Sequence, residues 1–247
     1  MGKIIALLFA DPAIGLETWQ AGVLERVAPA LLAAGAARVR INLPDGAVAA
    51  GAGLRQSPDG GYPDAVVQLW LDDAAGTAGT AVPELTALLG DTAASWHGWV
   101  VEERAPLTKP MEMAAVDGRS VGWAQIALLV RPEGQSEGDW LEAWQGRHTA
   151  VAIQTQSTFE YVQNRVLHRL TLDAPDYAAI VEECFPDAAL TDALSFFDAP
   201  GDPVRFKANL ARMMTSCDQF ITPGSITVLP TSQYEFGRAG DSAKSRH

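Results

Sequence analysis

Ile5-Ala6-Leu7-Leu8 returns as Ile126-Ala127-Leu128-Leu129, an offset of 121 residues, and the same register runs without a gap through the segment that follows. It sets Trp19 against Trp140, Arg26 against Arg147 and Val27 against His148. Short apolar matches arise easily by chance. Matched tryptophan and arginine positions in one ungapped frame do not, so the chain is read as an internal duplication. Further on, Val66-Val67-Gln68-Leu69-Trp70-Leu71-Asp72 aligns with Ile180-Val181-Glu182-Glu183-Cys184-Phe185-Pro186 at an offset of 114. The shorter offset places the extra residues of the first copy in the Gly-, Ala-, Ser- and Pro-rich loop 45–61.

Each copy reads as strand, helix, strand, strand, helix, strand, the split βαβ order of a ferredoxin-like unit. In the first copy the pattern predicts strands at 3–10, 37–43, 65–71 and 96–104, with helices at 15–34 and 82–89. In the second it predicts strands at 123–131, 160–170, 177–185 and 225–230. The second copy's helices fall at 136–155 and 188–214, the latter broken at Ala199-Pro200-Gly201-Asp202-Pro203, where proline and glycine interrupt a helical run. Residues 109–120, with Pro110 and Asp117-Gly118, form a linker. The expected domains are therefore 1–108 and 121–236, followed by a polar tail, 237–247, read as disordered. On the strand 123–131, Ile126, Leu128 and Val130 share one face and Gln125, Ala127 and Leu129 the other. Both faces are largely apolar, so both are expected to be buried. The fold class is α+β, with two ferredoxin-like sheets covering each other as an intramolecular barrel.

The 247 residues are 48% hydrophobic and 19% charged, the make-up of a globular chain with a sizeable core. A net charge of -12 argues against nucleic acid and anionic membranes as partners. No apolar run approaches the roughly 20 residues of a membrane span. The apolar stretch 4–10 is too short for a secretion signal, and Asp11-Pro12 follows it at once, so a cytoplasmic location is expected. Cys184 and Cys217 lack the spacing of a disulfide framework or a zinc site and read as small buried hydrophobes. Four scattered histidines make no metal triad. Residues 134–138 lack the fingerprint of a phosphate-binding loop. No metal and no cofactor is expected.

The second copy has Leu129-Val130-Arg131-Pro132, then Trp140 and Trp144 leading to Arg147-His148, then Phe159 and Tyr161-Val162-Gln163-Asn164. Ile180-Val181-Glu182 follows, with Asp218 and Phe220 ahead of the last strand. Over residues 123–236 this set resembles the EthD family of dimeric α+β barrel proteins. The resemblance implies that His148, Tyr161, Asn164 and Asp218 stand in or beside a pocket between helices and sheet. The first copy shows no matching histidine, tyrosine or asparagine, which assigns the chemistry to the second half. Relatives with this barrel include cyclases, dehydratases, decarboxylases, isomerases, cofactor-free monooxygenases and haem proteins, so the resemblance leaves the reaction open.

Trp140, Trp144 and His148 recur every fourth position and form one helical stripe facing the sheet. An imidazole between indoles is partly desolvated and stays neutral near pH 7. Val162, Asn164, Val166 and His168 share one strand face, with Tyr161, Gln163 and Arg165 on the other. A site using both Tyr161 and Asn164 therefore needs a bulge or a position at the start of the strand. Gln68 and Glu182 match across the copies and are expected to meet as a polar bridge between the sheets. Asp218 is expected to cap the approach to Phe220 or to orient His148.

The reading that results is a cofactor-independent lyase or isomerase of dehydratase, decarboxylase or cyclase type. It would act on an apolar aromatic or polyketide-like carbonyl compound, with His148 as base and Tyr161 or Asn164 steadying the enolate. Trp140, Trp144, Val162, Val166, His168 and Phe220 would bind the substrate. The alternatives are a haem-binding barrel, a cofactor-free monooxygenase, or a non-catalytic binder of hydrophobic metabolites. A homodimer is possible in any of these.

Overall fold

The computed structural model describes residues 2–71, 81–113 and 118–237, and its backbone follows the repeat. The first half runs β1 (Gly2–Phe9), α1 (Leu16–Gly22), a π-helical turn (Val23–Val27), α2 (Ala28–Ala33), β2 (Ala36–Leu43), β3 (Ala65–Leu71), α3 (Ala81–Thr92) and β4 (Ser95–Leu107). The second runs β5 (Trp123–Leu129), α4 (Glu137–Leu141), a π-helical turn (Glu142–His148), α5 (Thr149–Thr155), β6 (Glu160–Arg169), β7 (Ala179–Phe185), α6 (Ala193–Phe196), α7 (Pro203–Cys217) and β8 (Thr227–Gly237). The long helix of each half is thus continuous but widened by a π turn at the same place in the repeat.

All eight strands close into one antiparallel barrel in the order β1-β3-β2-β8-β5-β7-β6-β4. Each half contributes four neighbours in the ferredoxin-like order, fourth strand, first, third, second. The fourth strands are longer than their sequence suggests. β4 pairs with β1 over Ser95 to Val101 and with β6 from Trp99 onward to Leu107. β8 pairs with β5 up to Thr231 and with β2 from Ser232 to Gly237. The overrun closes both seams and leaves no unpaired sheet edge. Local patterning cannot show it, because the partner strand lies in the other repeat.

The predicted helix 188–214 is divided as its Pro-Gly content requires. A 3-10 turn (Asp187–Leu190), α6 and α7 replace it, and the Asp202 carboxylate caps α7 by accepting from Val204 N and Arg205 N. The loop 45–61 is not irregular throughout: Asp45 caps a 3-10 helix (Gly46–Leu54), and Gln56 bridges to Val228. Gly122 is required ahead of β5, since at φ 76° a Cβ there would lie 2.1 Å from the Phe185 carbonyl oxygen. Part of the linker 109–120 and all of the tail beyond Gly237 lie outside the described residues.

The barrel interior has two zones. Ile5, Leu7, Val66, Trp99, Ile126 and Leu128 fill one with apolar packing. The other holds a buried ionic network centred on Arg40, which donates to Glu182 at 2.5 Å, Glu160 at 2.9 Å and Glu235 at 2.5 Å. Gln68 Nε2 donates to Glu182 Oε2 at 2.9 Å, the polar bridge expected from the repeat alignment. Burial works to raise the pKa of Glu182. The Arg40 charge and donated bonds from Gln233, Asn42 and Gln68 outweigh it and hold the carboxyl well below the usual range. Outside the barrel, the helices cover the sheets over two further cores, one per half.

Candidate active site

The second half's long helix begins at Ser136, whose Oγ accepts from Asp139 N at 3.1 Å. Trp140, Trp144 and His148 then face inward and are buried. Trp140 donates its indole N–H to the Phe220 carbonyl at 3.0 Å and packs its ring 4.8 Å from Trp144. It buttresses the site from behind. Trp144, His148 and Phe220 line a cavity of about 610 Å³ bounded by β5, β7, α6 and α7. His148 lies 4.6 Å from the Phe220 ring, and its Nδ1 is 2.9 Å from Ser216 Oγ on α7. Burial pushes its pKa down to about 4, which keeps the imidazole neutral near pH 7.

The structure separates the residues that the sequence grouped. Tyr161 points outward from the barrel into the cavity, where its hydroxyl accepts from Gln163 Nε2 at 3.2 Å. Burial, with Glu183 nearby, pushes its pKa above the ordinary phenol range. Asn164 is on the opposite strand face, fully buried in the barrel: its Oδ1 accepts from Lys3 Nζ at 2.7 Å and its Nδ2 donates to the Ile180 carbonyl. Val162, paired with Glu182, also faces the barrel, and Val166 belongs to its apolar core. His168 is exposed beyond a register shift, in a separate surface groove with Arg165 and Tyr177. Asn164, Val162, Val166 and His168 are therefore not in the cavity, because β6 alternates regularly at Tyr161 to Asn164 and one strand cannot aim both side chains the same way. Trp140 is not in its lining either. Asp218 is exposed at the mouth, and Ser216, not Asp218, holds His148.

Pairing registers refine the comparison of the two halves. Asn42 sits opposite Val66 as Asn164 sits opposite Ile180, so this asparagine is shared by both copies and serves the barrel. The expectation that the first copy lacks it is corrected by the strand register, which the ungapped sequence offsets do not reach.

Glu183 is the site residue that sequence reasoning passed over. It is buried in the cavity wall on β7, and Gln125 Nε2 on β5 donates to its Oε2 at 3.2 Å. Burial raises its pKa to about 7, against the opposing effect of the Gln125 bond. The signal was present at the offset of 114, which sets Glu183 against Leu69. In the first half the four positions equivalent to Gln125, His148, Tyr161 and Glu183 are Ile4, Val27, Val39 and Leu69, all part of one apolar cluster with Leu85 and Leu89 of α3. The second half has four polar groups and a cavity where the first has closed core.

No family model matches the sequence, and no curated protein matches it. Solved structures do. An anthrone oxidase-like protein is similar at a TM-score of 0.56 and 15% identity, over 96% of this chain and 95% of that one. A protein from Lactobacillus acidophilus NCFM, provisionally described as a monooxygenase, gives 0.51 and 10% over 96% of each chain. Another so described, from Fusobacterium nucleatum subsp. nucleatum, gives 0.52 and 9% over 97% of this chain and 94% of that one. The fold is the dimeric α+β barrel. At these identities the likeness is one of fold, here completed within a single chain.

Among the described residues no helix is long and apolar enough to cross a membrane, and no cluster of ligating side chains could hold a metal ion. Haem fits this cavity poorly. His148 could offer its Nε2, but among the described residues the lining contains no lysine or arginine to neutralise two propionates, and Glu183, Asp192 and Asp218 would oppose them.

Proposed function

We propose that the protein is an enzyme that transfers a proton on an apolar, aromatic carbonyl compound held in the second-half cavity. The observation that carries this is the replacement of Ile4, Val27, Val39 and Leu69 by Gln125, His148, Tyr161 and Glu183 around an open, aromatic-walled space. A fold that closes this space in one repeat and lines it with titratable groups in the other has given up core packing there for chemistry.

Glu183 is the base. A pKa of about 7 leaves it substantially ionised at neutral pH while keeping it strong enough to accept a proton, the balance general-base catalysis favours. The proton-accepting role expected of His148 moves to Glu183, because an imidazole at about 4 is a weak base. Glu183 takes the proton from the carbon beside the carbonyl, and the C–H electron pair enters the enolate. Tyr161 donates a hydrogen bond from its hydroxyl to the enolate oxygen and keeps its proton, since burial disfavours the phenolate. Its own oxygen is already engaged by Gln163 and Trp144, which strengthens it as a donor. His148, fixed through Ser216, gives a second neutral hydrogen bond from its Nε2 side.

The enolate can be reprotonated at another carbon or can expel a leaving group, an isomerase or lyase outcome in keeping with the EthD resemblance. It can also reduce dioxygen, and the oxidase and monooxygenase descriptions of the similar structures favour this second reading. A screen of aromatic ketones with an oxygen electrode and product analysis separates the two. Full turnover of a confirmed substrate by Glu183→Gln would remove the assignment; the expected loss is on the order of 100-fold or more.

A further inference from the structure

The charges around the cavity restrict what can enter it. Among the described residues its lining contains no lysine or arginine. Two exposed carboxylates, Asp192 and Asp218, stand at the mouth, and Glu183 is buried in the wall. An anionic ligand would shed its hydration to enter an apolar space, meet no cation there and face a carboxyl, a cost that burial makes large. The uncharged polar groups point the other way. Gln156 lines the same cavity, and its Oε1 is buried with no hydrogen-bond partner among the described residues. An unfilled buried acceptor calls for a ligand O–H or N–H. Gln56 and Gln125 add further neutral amide groups to the lining. The walls between them are aromatic, with Trp144, Phe196, Phe197 and Phe220.

We propose that this cavity selects by charge, taking uncharged aromatic compounds that carry hydroxyl and carbonyl groups and excluding carboxylates and phosphate esters, with Glu183 as the discriminating residue. The inference rests on the cavity being the substrate site, and it narrows the substrate class. Carboxylic acids and thioester conjugates of phosphorylated carriers are outside it. A reaction that supplies this substrate must therefore deliver it free and neutral, after decarboxylation of any carboxylate or hydrolysis of any phosphate ester to its alcohol.

The test is equilibrium binding, followed by tryptophan fluorescence and calorimetry near pH 7.5, of three naphthalenes with the same ring body: a methyl ketone, a carboxylate and an aminomethyl cation. Wild type should bind the ketone and hold the carboxylate at least about 10-fold more weakly, about 1.4 kcal/mol. In Glu183→Gln that ratio should fall towards one. Glu183→Leu, which copies Leu69 of the first half, serves as a second variant should the glutamine fold poorly. Equal binding of ketone and carboxylate by wild type overturns the proposal. So does an unchanged ratio in both variants, tightest binding of the amine, or no binding by any of the three. Binding is measured apart from turnover, so the two readings fail separately. Charge-selective binding without catalysis removes only the enzyme assignment, and catalysis on carboxylates removes only this one.

Discussion

Gln125 and Glu183 lie side by side on β5 and β7, Nε2 to Oε2 at 3.2 Å, where the first half pairs Ile4 with Leu69. The same backbone register thus holds an apolar pair in one repeat and a hydrogen-bonded acid in the other. The substitution costs stability, and the cost depends on pH. The folded carboxyl keeps its proton to about pH 7, whereas the unfolded one releases it near 4.5. The folded state binds more protons between these values, so stability falls as pH rises through that window.

Glu183→Leu should therefore stabilise the protein at pH 8 by on the order of 3 kcal/mol relative to any effect at pH 4, while abolishing turnover. Denaturant unfolding at the two pH values measures it. An equal change at both would show that Glu183 is not carrying the titration.

His148 has the opposite slope. The unfolded imidazole takes up a proton below about 6.5 and the folded one only below about 4, so stability is lost as pH falls through that interval. The two windows overlap, and wild type should show a nearly flat profile from about pH 5.5 to 6.5, above the range in which Glu182 and Glu235, both held below the usual carboxyl range, lose their stabilisation. His148→Phe should expose the Glu183 slope, with stability falling from about pH 5.5 to 7. A flat profile in that variant would contradict the assignment.

Ser216→Ala removes the hydroxyl that holds His148 Nδ1 without touching the cavity carboxyl. The ring loses its fixed orientation, and kcat should fall by about 10-fold with the pH-rate midpoint set by Glu183 unmoved. Rescue by Ser216→Thr separates positioning from a loss of packing.

Asn164 and Glu182 belong to the barrel, and their variants should report stability instead of chemistry. Arg40→Met leaves Glu182 buried without its cation and should cost roughly 3–5 kcal/mol. Asn164→Ala removes one acceptor from Lys3, which keeps its Glu103 partner, and one donor to the Ile180 carbonyl, and should leave kcat of the folded protein unchanged. A selective loss of kcat in Asn164→Ala would return that residue to the site.

The repeat was legible because Trp19 with Trp140 and Val66–Leu71 with Ile180–Phe185 keep positions that the core of each half needs, and core positions impose spacing. Strand alternation likewise separates Tyr161 from Asn164 in the sequence alone, since side chains alternate across any regular strand. What alternation could not say was which face met the barrel and which the helices, because both are apolar here. Only closure decided it, by carrying β4 and β8 across the seams and committing Asn164, Val162 and Glu182 to the inside. Glu183 stood beside Glu182 in the sequence, set apart only by facing Leu69 and not Gln68 in the repeat alignment, and that difference carries no protonation state. The difference lies in the charges each meets: Glu182 points inward to Arg40 and stays ionised, and Glu183 points outward into an apolar cavity and is held near neutrality. The sequence by itself determined the duplication, the fold class and His148 as the odd residue of the pair. Tertiary structure decided which of two adjacent carboxyls is available for chemistry, because a pKa is set by what lies within a few ångströms in space, not along the chain.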